Sequence, residues 1–293
     1  MSFGPFLLLA LMEGLVTAAV LALAASGLSL VFGVMRVVNV AHGEFYMLGA
    51  VIAWFVTTLV PGPAWAGFLV ALAVAPVAVG ALAAAADRLV LRRLDYDPEA
   101  TIVATIGLLY MIQQAALSFY GPDARPVAAP FDWRLQLPWF GYSGYKLFVV
   151  LAAAVVLLAL WLFMTRSKVG LVMRATQVDR DVAQAFGIDV DLVYMAVFGI
   201  GAALAAVAAV LIVPIQQAHY LMGHDPLLLS FIVVIIGGLG SLRGTVVAAL
   251  VIGLSDGVIS MFFSPTLAKI LATLLVALVL VFRPQGLFGV RDR

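Results

Sequence analysis

The sequence predicts an all-α polytopic membrane protein with about eight or nine transmembrane helices, at least one of them broken or re-entrant. Two observations carry this prediction. Of the 293 residues, 65% are hydrophobic and 11% are charged, whereas about a quarter of an ordinary soluble chain is charged. Several charge-free runs also reach the roughly 20 residues that a helix needs to cross a bilayer. We expect residues 1–293 to form a single transmembrane domain.

Composition also excludes several classes of protein. A chain with so little polar surface cannot cover a water-soluble particle, which excludes a soluble globular enzyme. The absence of cysteine excludes thiol nucleophiles and thiolate metal sites. There is no H-E-x-x-H pair and no P-loop, so zincin chemistry and ATP binding through a P-loop are unsupported. We therefore predict no catalytic residue, metal or cofactor in this chain. The net charge of +1 without a basic cluster also predicts no nucleic-acid partner.

Nine apolar segments are candidate spans, and lipid is their expected surrounding. Pro226–Leu242 is short and rich in glycine, so we expect it to re-enter or break rather than span. In chain order the segments are Phe6–Val31, Phe45–Val60, Ala64–Ala86, Ala100–Tyr120, Leu147–Thr165, Leu192–Gly223, Pro226–Leu242, Thr245–Phe263 and Leu267–Phe282.

Basic residues predict the orientation in the membrane. They concentrate in Asp87–Glu99, in Arg166–Asp191 and in the C-terminal tail, which holds Arg283, Arg291 and Arg293. The positive-inside rule places these segments, and therefore the C-terminus, in the cytoplasm. The N-terminus is predicted outside if Val34–Gly43 is a cytoplasmic loop, and inside if that stretch stays at membrane depth. The chain lacks a basic n-region, so we expect the first span to be retained.

The first candidate site lies between the first two spans. Ionisable groups at membrane depth are costly and usually face a cavity or one another, and a broken helix leaves backbone groups free for a ligand. A short cytoplasmic loop with a helix cap explains the same pattern equally well. The polar residues are Arg36, Asn39, His42 and Glu44, and Gly33 and Gly43 weaken the helices beside them.

A second candidate is the run GGLGSLRG over Gly237–Gly244. Four glycines in eight residues predict a tight turn or a helix break. The simpler interpretation is a turn between two spans, and the other is a half-helix junction beside a substrate path.

A third candidate is the segment of about residues 166–191, which has its own amphipathic pattern. Gly187 can end this helix in the left-handed conformation. The apolar face predicts either a helix on the membrane surface or a docking helix for a cytoplasmic subunit. Its apolar residues recur at steps of three and four, at Val172, Ala175, Val178, Val182, Ala185 and Phe186.

Two acids stand alone in apolar spans, Glu13 and Asp256. Intramembrane acids suggest ion coupling, and the alternative is a helix end or a local hydrogen bond. Together with Glu44 they support an alternative function, that of an ion-coupled secondary transporter.

These motifs together resemble a known family, the LivH-type permease subunits of branched-chain amino-acid ABC importers. The N-x-A-H-G-E stretch of that family matches Asn39, Ala41, His42, Gly43 and Glu44. Its coupling loop matches Arg174, Ala175, Asp179, Ala183, Gly187 and Ile188. Its Gly-Gly-x-Gly-Ser motif matches Gly237, Gly238, Gly240, Ser241 and Gly244, with Arg243 where proline is common.

The resemblance implies an ABC importer permease fold in a bacterial inner membrane, without catalysis by this chain. It implies a second, homologous permease in a heterodimer, two cytoplasmic ATPases that bind ATP and magnesium, and a periplasmic solute-binding protein. It leaves the solute open among branched-chain amino acids, other amino acids, urea, short amides and aromatic acids. The residues implied for coupling to the ATPases are Arg174, Ala175, Asp179, Ala183, Phe186 and Gly187. Those predicted for the substrate pathway are Gly33, Asn39, His42, Gly43, Glu44, Gly237, Gly238, Gly240 and Ser241.

Overall fold

The computed structural model describes residues 3–283 and 285–288, and these residues are mostly helical. A two-stranded antiparallel hairpin, β1 with β2, lies between the fourth and fifth helices. In chain order the elements are α1 Phe3–Met35, α2 His42–Leu59, α3 Ala64–Leu89, a 3-10 turn Leu91–Leu94, α4 Pro98–Tyr120, β1 Arg134–Gln136, β2 Gly141–Ser143, α5 Gly144–Arg166, α6 Lys168–Val178, α7 Arg180–Ala185, α8 Val190–Gln216, α9 His224–Gly237, α10 Leu242–Phe262 and α11 Pro265–Phe282.

The nine predicted apolar segments each coincide with a helix. Within the described ranges, seven helices are long and apolar enough to cross a membrane. The other two are α2, whose first turn holds His42 and Glu44, and α9, which has only 14 residues. The prediction of an all-α polytopic protein is therefore confirmed.

The core of the bundle is built on α1 and α8, which contain the longest runs of buried residues. Small side chains let the helix backbones approach closely, as they commonly do in membranes. A Cβ added at Gly14 of α1 would lie 2.8 Å from the carbonyl oxygen of Gly253 in α10. Bulky residues at this crossing would therefore force the two helices apart.

The two ends of the bundle are marked by different elements. One carries α6 and α7 and is called the α6–α7 end, and the other carries β1 and β2 and is called the hairpin end. Lys146, directly after the hairpin, pairs with Glu13 of α1, and the ring of Phe3 lies 5.6 Å from that of Phe262. The start of α1 is therefore at the hairpin end, and α1 runs from there to the α6–α7 end.

The chain turns back into the bundle after α1. Arg36 ends the helix in the left-handed conformation, with φ of 56°. The following residues return to the level of Ala24, whose carbonyl oxygen accepts a 2.9 Å hydrogen bond from His42 Nε2. The backbone N–H of Val40 is satisfied by Thr105 Oγ1 of α4 at 3.2 Å, which lets extended backbone persist inside the bundle. Val34–Gly43 therefore begins at the α6–α7 end of the bundle, where Gly33 lies, and returns into the interior of the bundle.

The segment before α9 re-enters from the opposite side. Ala218 pairs with Arg125 in an isolated β-bridge at the hairpin end, and the chain then descends to Gly223. Gly223 lies against Gly43, so α9 begins inside the bundle and runs to the α6–α7 end. This confirms the expectation that Pro226–Leu242 does not span. Arg291 and Arg293 of the predicted basic tail lie outside the described residues.

Candidate functional site: a helix junction inside the bundle

The N-termini of α2 and α9 meet inside the bundle, and we call residues 39–44 together with 223–225 the junction. A Cβ added at Gly43 would lie 2.5 Å from the carbonyl oxygen of Gly223. The level is near the middle of α8, because Gly27, beside His42, packs against Gly201. Two helix N-termini bring partial positive charge to one place. Each has an acid in its first turn, Glu44 in α2 and Asp225 in α9, which offsets that charge.

Asn39 and His42, both predicted for the pathway, are almost completely buried in the junction. His42 donates from Nε2 to Ala24, which leaves its Nδ1 as an acceptor. Neither that nitrogen nor the amide of Asn39 has a hydrogen-bond partner among the described residues. Buried polar groups are normally satisfied, so these atoms mark a place where water or a moving solute can supply partners.

Glu44, the third predicted polar residue, is 1% exposed and faces His224. Its Oε1 lies 3.7 Å from His224 Nε2, and neither oxygen has a hydrogen-bond partner in the described part of the chain. Gln113 of α4 donates from Nε2 to His224 Nε2 at 2.8 Å. An uncompensated buried carboxylate is costly, so a change in this network would change the stability of the junction.

Three further residues of the site, Gln113, Thr105 and His224, were not predicted from the sequence. Gln113 and Thr105 are polar residues inside the predicted span Ala100–Tyr120, and this was the available signal. Their partners lie far away in sequence, so the contacts themselves were not predictable.

A cavity of about 440 Å³ lies between the junction and the hairpin end, and we call it the hairpin-end cavity. Ala24 and Tyr46 line it, and Ala24 is also the hydrogen-bond partner of His42. The cavity therefore shares a wall with the junction.

The predicted motif over Gly237–Gly244 forms the turn between α9 and α10, at the α6–α7 end. Gly238 and Gly240 have φ of 102° and 78°, a region that strongly favours glycine. Ser241 caps α10, accepting a 3.2 Å hydrogen bond at Oγ from the backbone N–H of Gly244. We call residues 237–241 the glycine turn. It is a turn between two helices, as in the simpler interpretation.

The glycine turn contacts two other candidate segments. A Cβ added at Gly33, near the end of α1, would lie 2.9 Å from Gly240 Cα. Gln177 of α6 donates from Nε2 to the carbonyl oxygen of Gly240 at 3.3 Å. Gly33 and the glycine turn are therefore neighbours, but they lie at the end of the bundle and not in the junction with Asn39, His42 and Glu44.

The amphipathic segment forms two helices, α6 and α7, instead of the single helix predicted. Asp179 is extended, with φ of −154°, and caps α7 by accepting at Oδ1 from the backbone N–H of Val182 at 3.0 Å. Aspartate favours helix N-caps over helix interiors, which explains the break. Gly187 has φ of 81°, so the predicted left-handed ending is confirmed.

Most of the predicted apolar residues on this segment are exposed. Val178 and Phe186 are 80% and 84% exposed, and Val182 is about half exposed. Arg174 and Ala175 are exposed as well, whereas Ala183 is buried against the bundle. An exposed apolar surface this prominent needs a partner.

Arg180 holds α7 against the rest of the bundle. Its guanidinium carbon lies 5.6 Å from the ring of Tyr194 and 6.0 Å from that of Tyr96, and the two rings pack edge to face. Burial raises the pKa of the Tyr96 phenol, and the negative charge of Asp87 raises it further. The phenol therefore stays neutral and can donate to Asp87 Oδ2, 3.5 Å away. These contacts hold α7 against the bundle. The side chains of Val178, Val182 and Phe186, which we call the apolar tip, stay exposed.

The two lone acids have different surroundings. Glu13 pairs through both carboxylate oxygens with Lys146 Nζ, at 2.6 and 2.7 Å. Asp256 lines the hairpin-end cavity and lies 3.5 Å from Ser260 Oγ. The paired Glu13 is unsuited to carrying a coupling ion, so its environment argues against the ion-coupled alternative.

Replacing Glu44 with glutamine tests the junction while keeping the shape of the side chain. We expect solute uptake to fall severalfold with the purified complex still assembled, because an amide cannot ionise or accept hydrogen bonds at both terminal atoms as a carboxylate can. Uptake into membrane vesicles and gel filtration of the complex are the measurements. Glu99→Gln, at an exposed position in the first turn of α4, is the matched control. Equal uptake by Glu44→Gln and wild type would contradict a role for this carboxylate.

The fold and the junction define a class of protein, a multi-pass membrane permease. The chain belongs to the family described as the permease component of the branched-chain amino acid transport system, whose profile matches residues 10–281. Its members are non-catalytic membrane subunits of ATP-binding-cassette transporters, which act with ATPases and binding proteins. The prediction of this family is confirmed, and the ion-coupled secondary transporter is not supported.

Two relatives are similar over nearly their whole length. The high-affinity branched-chain amino acid permease protein BraD of Pseudomonas aeruginosa is 29% identical, over 95% of this chain and 94% of that protein. The corresponding protein LivH of Escherichia coli K12 is 28% identical, over 94% of each chain. Among solved structures, PsaBC from Streptococcus pneumoniae in complex with Fab has a similar fold, with a TM-score of 0.51. It is 12% identical and is matched over 94% of this chain and 92% of that one.

Proposed function

We propose that this chain is the permease through which an ATP-driven importer moves branched-chain amino acids, or a related small aliphatic solute, into a bacterial cell. Relatives named for branched-chain amino acid transport support this solute class. Its partners in this proposal are a second, homologous permease, two cytoplasmic ATPases that bind ATP and magnesium, and a periplasmic binding protein. The α6–α7 end faces the cytoplasm, which the basic residues of its loops support.

The observation that carries the proposal is a series of contacts that runs from the apolar tip through Gln177 to the glycine turn and the end of α1. Val178, Val182 and Phe186 offer an apolar surface for an ATPase. One residue before Val178, Gln177 bonds to the glycine turn, which packs on Gly33 of α1. A movement of α6 would therefore act on both the α9–α10 turn and the end of α1.

The glycine turn in turn connects to the junction through α9. This half-helix runs from Gly223 and His224 at the junction to Gly237 at the turn. A helix moves as a rigid element, so displacement of the turn would alter how His224 faces Glu44. We propose that ATP binding closes the ATPase pair and shifts the junction between two arrangements, with Asn39, His42 and Glu44 facing the solute in one of them.

Replacing Gln177 with alanine tests this transmission. We expect ATP hydrolysis to continue and the amount of solute moved per ATP to fall, because α6 would lose its hydrogen bond to the glycine turn. Uptake and hydrolysis are measured in the same proteoliposomes. Gln136→Ala, at an exposed position of β1 at the hairpin end, is the matched control and should behave as wild type. An unchanged ratio in Gln177→Ala would contradict the proposed route.

The function itself is tested by purifying the tagged chain with its partners and reconstituting the complex. We expect two ATPases and a second permease to purify with it, and leucine uptake to require both ATP and the binding protein. Isoleucine and valine should compete with leucine, and urea and benzoate should not. Leucine uptake driven by a pH gradient in the absence of ATP would contradict the proposal.

A further inference from the structure

The hairpin-end cavity combines charges of both signs with an apolar wall. Its volume of about 440 Å³ falls in the range of about 300–1,000 Å³ typical of small-molecule sites. The two acids and the lysine of the lining, Asp225, Asp256 and Lys269, lie on α9, α10 and α11. Many of the apolar lining residues lie on α1 and α9, and other polar groups line the cavity from α1, α8 and the segment after α8. This division suits a solute with a charged end and an aliphatic end.

The charged side of the cavity has unused hydrogen-bonding capacity. Lys269 Nζ lies 2.7 Å from Asp225 Oδ2, which occupies one of its three donors. Asp256 is half-buried beside these charges, and its only described hydrogen bond is the long one with Ser260. Lys269 can therefore still donate to a carboxylate, and Asp256 can still accept from an ammonium group.

Part of the cavity lining is aliphatic. Val20 and Leu21 of α1 face the cavity together with Leu229 of α9. Burying a branched side chain against these residues is favourable by the hydrophobic effect. This wall favours an aliphatic side chain over a polar one.

We propose that this cavity is a binding site for the zwitterion of an aliphatic α-amino acid. The ammonium group binds Asp256, the carboxylate binds Lys269, and the side chain packs on Val20, Leu21 and Leu229. The inference rests on the proposed function and adds to it that this permease itself recognises the solute. Urea carries neither charge and an aromatic acid lacks the ammonium group, so the site discriminates against both.

The position of the site connects recognition to transport. Ala24 lines the cavity and also accepts the hydrogen bond of His42 in the junction. A bound amino acid would therefore lie on the hairpin-end side of the junction, close to the backbone that His42 contacts.

The absence of cysteine makes a direct test possible, since one introduced cysteine gives this chain a single thiol. Ser260→Cys places the thiol in the cavity, and Ser143→Cys at the end of β2 is the matched control. The assembled complex, in nanodiscs without the binding protein, is treated with a methanethiosulfonate reagent, and the mass of this chain is followed. We expect leucine to slow modification of Ser260→Cys severalfold and to leave Ser143→Cys unchanged.

Analogues and a second substitution test the role of each charge. Isocaproate lacks the amino group and isoamylamine lacks the carboxylate, so neither should protect at the leucine concentration used. Adding Asp256→Asn should weaken protection by leucine about tenfold, because a hydrogen bond between two charged groups is lost. Asp132→Asn, in an exposed loop at the hairpin end, should leave it unchanged.

The outcomes separate this site from the proposed function. A complex that imports leucine but shows no protection of Ser260→Cys would overturn the site. Equal protection by isocaproate and leucine would overturn recognition of the zwitterion. A wild-type complex that imports no leucine with ATP and binding protein would instead contradict the proposed function, and the protection experiment would still decide the site.

Discussion

Replacing Gly43 with alanine is expected to abolish uptake and to lower the melting temperature of the complex. The added Cβ would lie 2.5 Å from the carbonyl oxygen of Gly223 and 2.8 Å from Leu227 Cβ. The first neighbour is backbone, so the N-termini of α2 and α9 would have to separate. Overpacking a well-packed site typically costs about 1–3 kcal/mol, and here the displaced groups are those of the junction. Thermal unfolding and vesicle uptake are the measurements.

Gly107→Ala is the matched control for this substitution. Gly107 lies in α4, and an added Cβ would meet nothing within 4 Å. Glycine inside a helix is less favourable than alanine by about 0.5–1 kcal/mol, so this variant should be as stable as wild type or slightly more stable. A Gly43→Ala complex that melts and transports like Gly107→Ala would show that the contact with Gly223 is not required.

Replacing Phe186 with aspartate is expected to uncouple ATP hydrolysis from the permease. Phe186 is the most exposed residue of the apolar tip, and the proposal buries it against an ATPase. An aspartate in that contact would place an unpaired charge in an apolar interface, which is strongly unfavourable. We expect the ATPases to be lost during purification, or hydrolysis stimulated by the loaded binding protein to fall by about tenfold or more.

Two further variants distinguish loss of docking from general damage. Phe186→Leu keeps an apolar side chain and should retain most of the stimulated hydrolysis. Trp139→Asp, at an exposed aromatic residue near the hairpin, should leave hydrolysis unchanged. The Phe186 side chain has no role in closing the helix at Gly187, because the hydrogen bonds there, including those that the Phe186 N–H donates to Val182 and Ala183, are made by backbone atoms. Normal stimulation in Phe186→Asp would mean that the ATPase contacts another surface.

The two variants address opposite ends of one proposed movement. Gly43 lies in the junction and Phe186 lies at the tip of α7, with α9, the glycine turn and α6 between them. Suppose that both substitutions stop transport but only Phe186→Asp stops ATP hydrolysis. Hydrolysis then does not require an intact junction, whereas transport requires both the ATPase contact and the junction. This result would agree with a movement that passes from the ATPases through α6 and Gln177 to the junction.

Much of this protein was determined by local sequence. Hydropathy predicted all nine apolar helices, because burying a helix in lipid depends on the summed character of about 20 neighbouring residues. The turn at Gly237–Gly244 and the left-handed Gly187 followed from the conformational freedom of glycine. Three short motifs in order were sufficient for the family. The break at Asp179 was missed, because the periodicity of the apolar residues was given more weight than the preference of aspartate for helix caps.

Only the tertiary structure decided where the polar residues meet. The pattern from Arg36 to Glu44 fitted a loop or a broken helix equally well, since hydropathy does not report depth. The depth follows from contacts between distant segments, such as Gly43 with Gly223 and Gln113 with His224. The same holds for Asp256 and Lys269, which belong to different helices and share a cavity only because α10 and α11 pack beside α1 and α9. Long-range packing of this kind depends on the shapes of whole helices, and no local pattern encodes it.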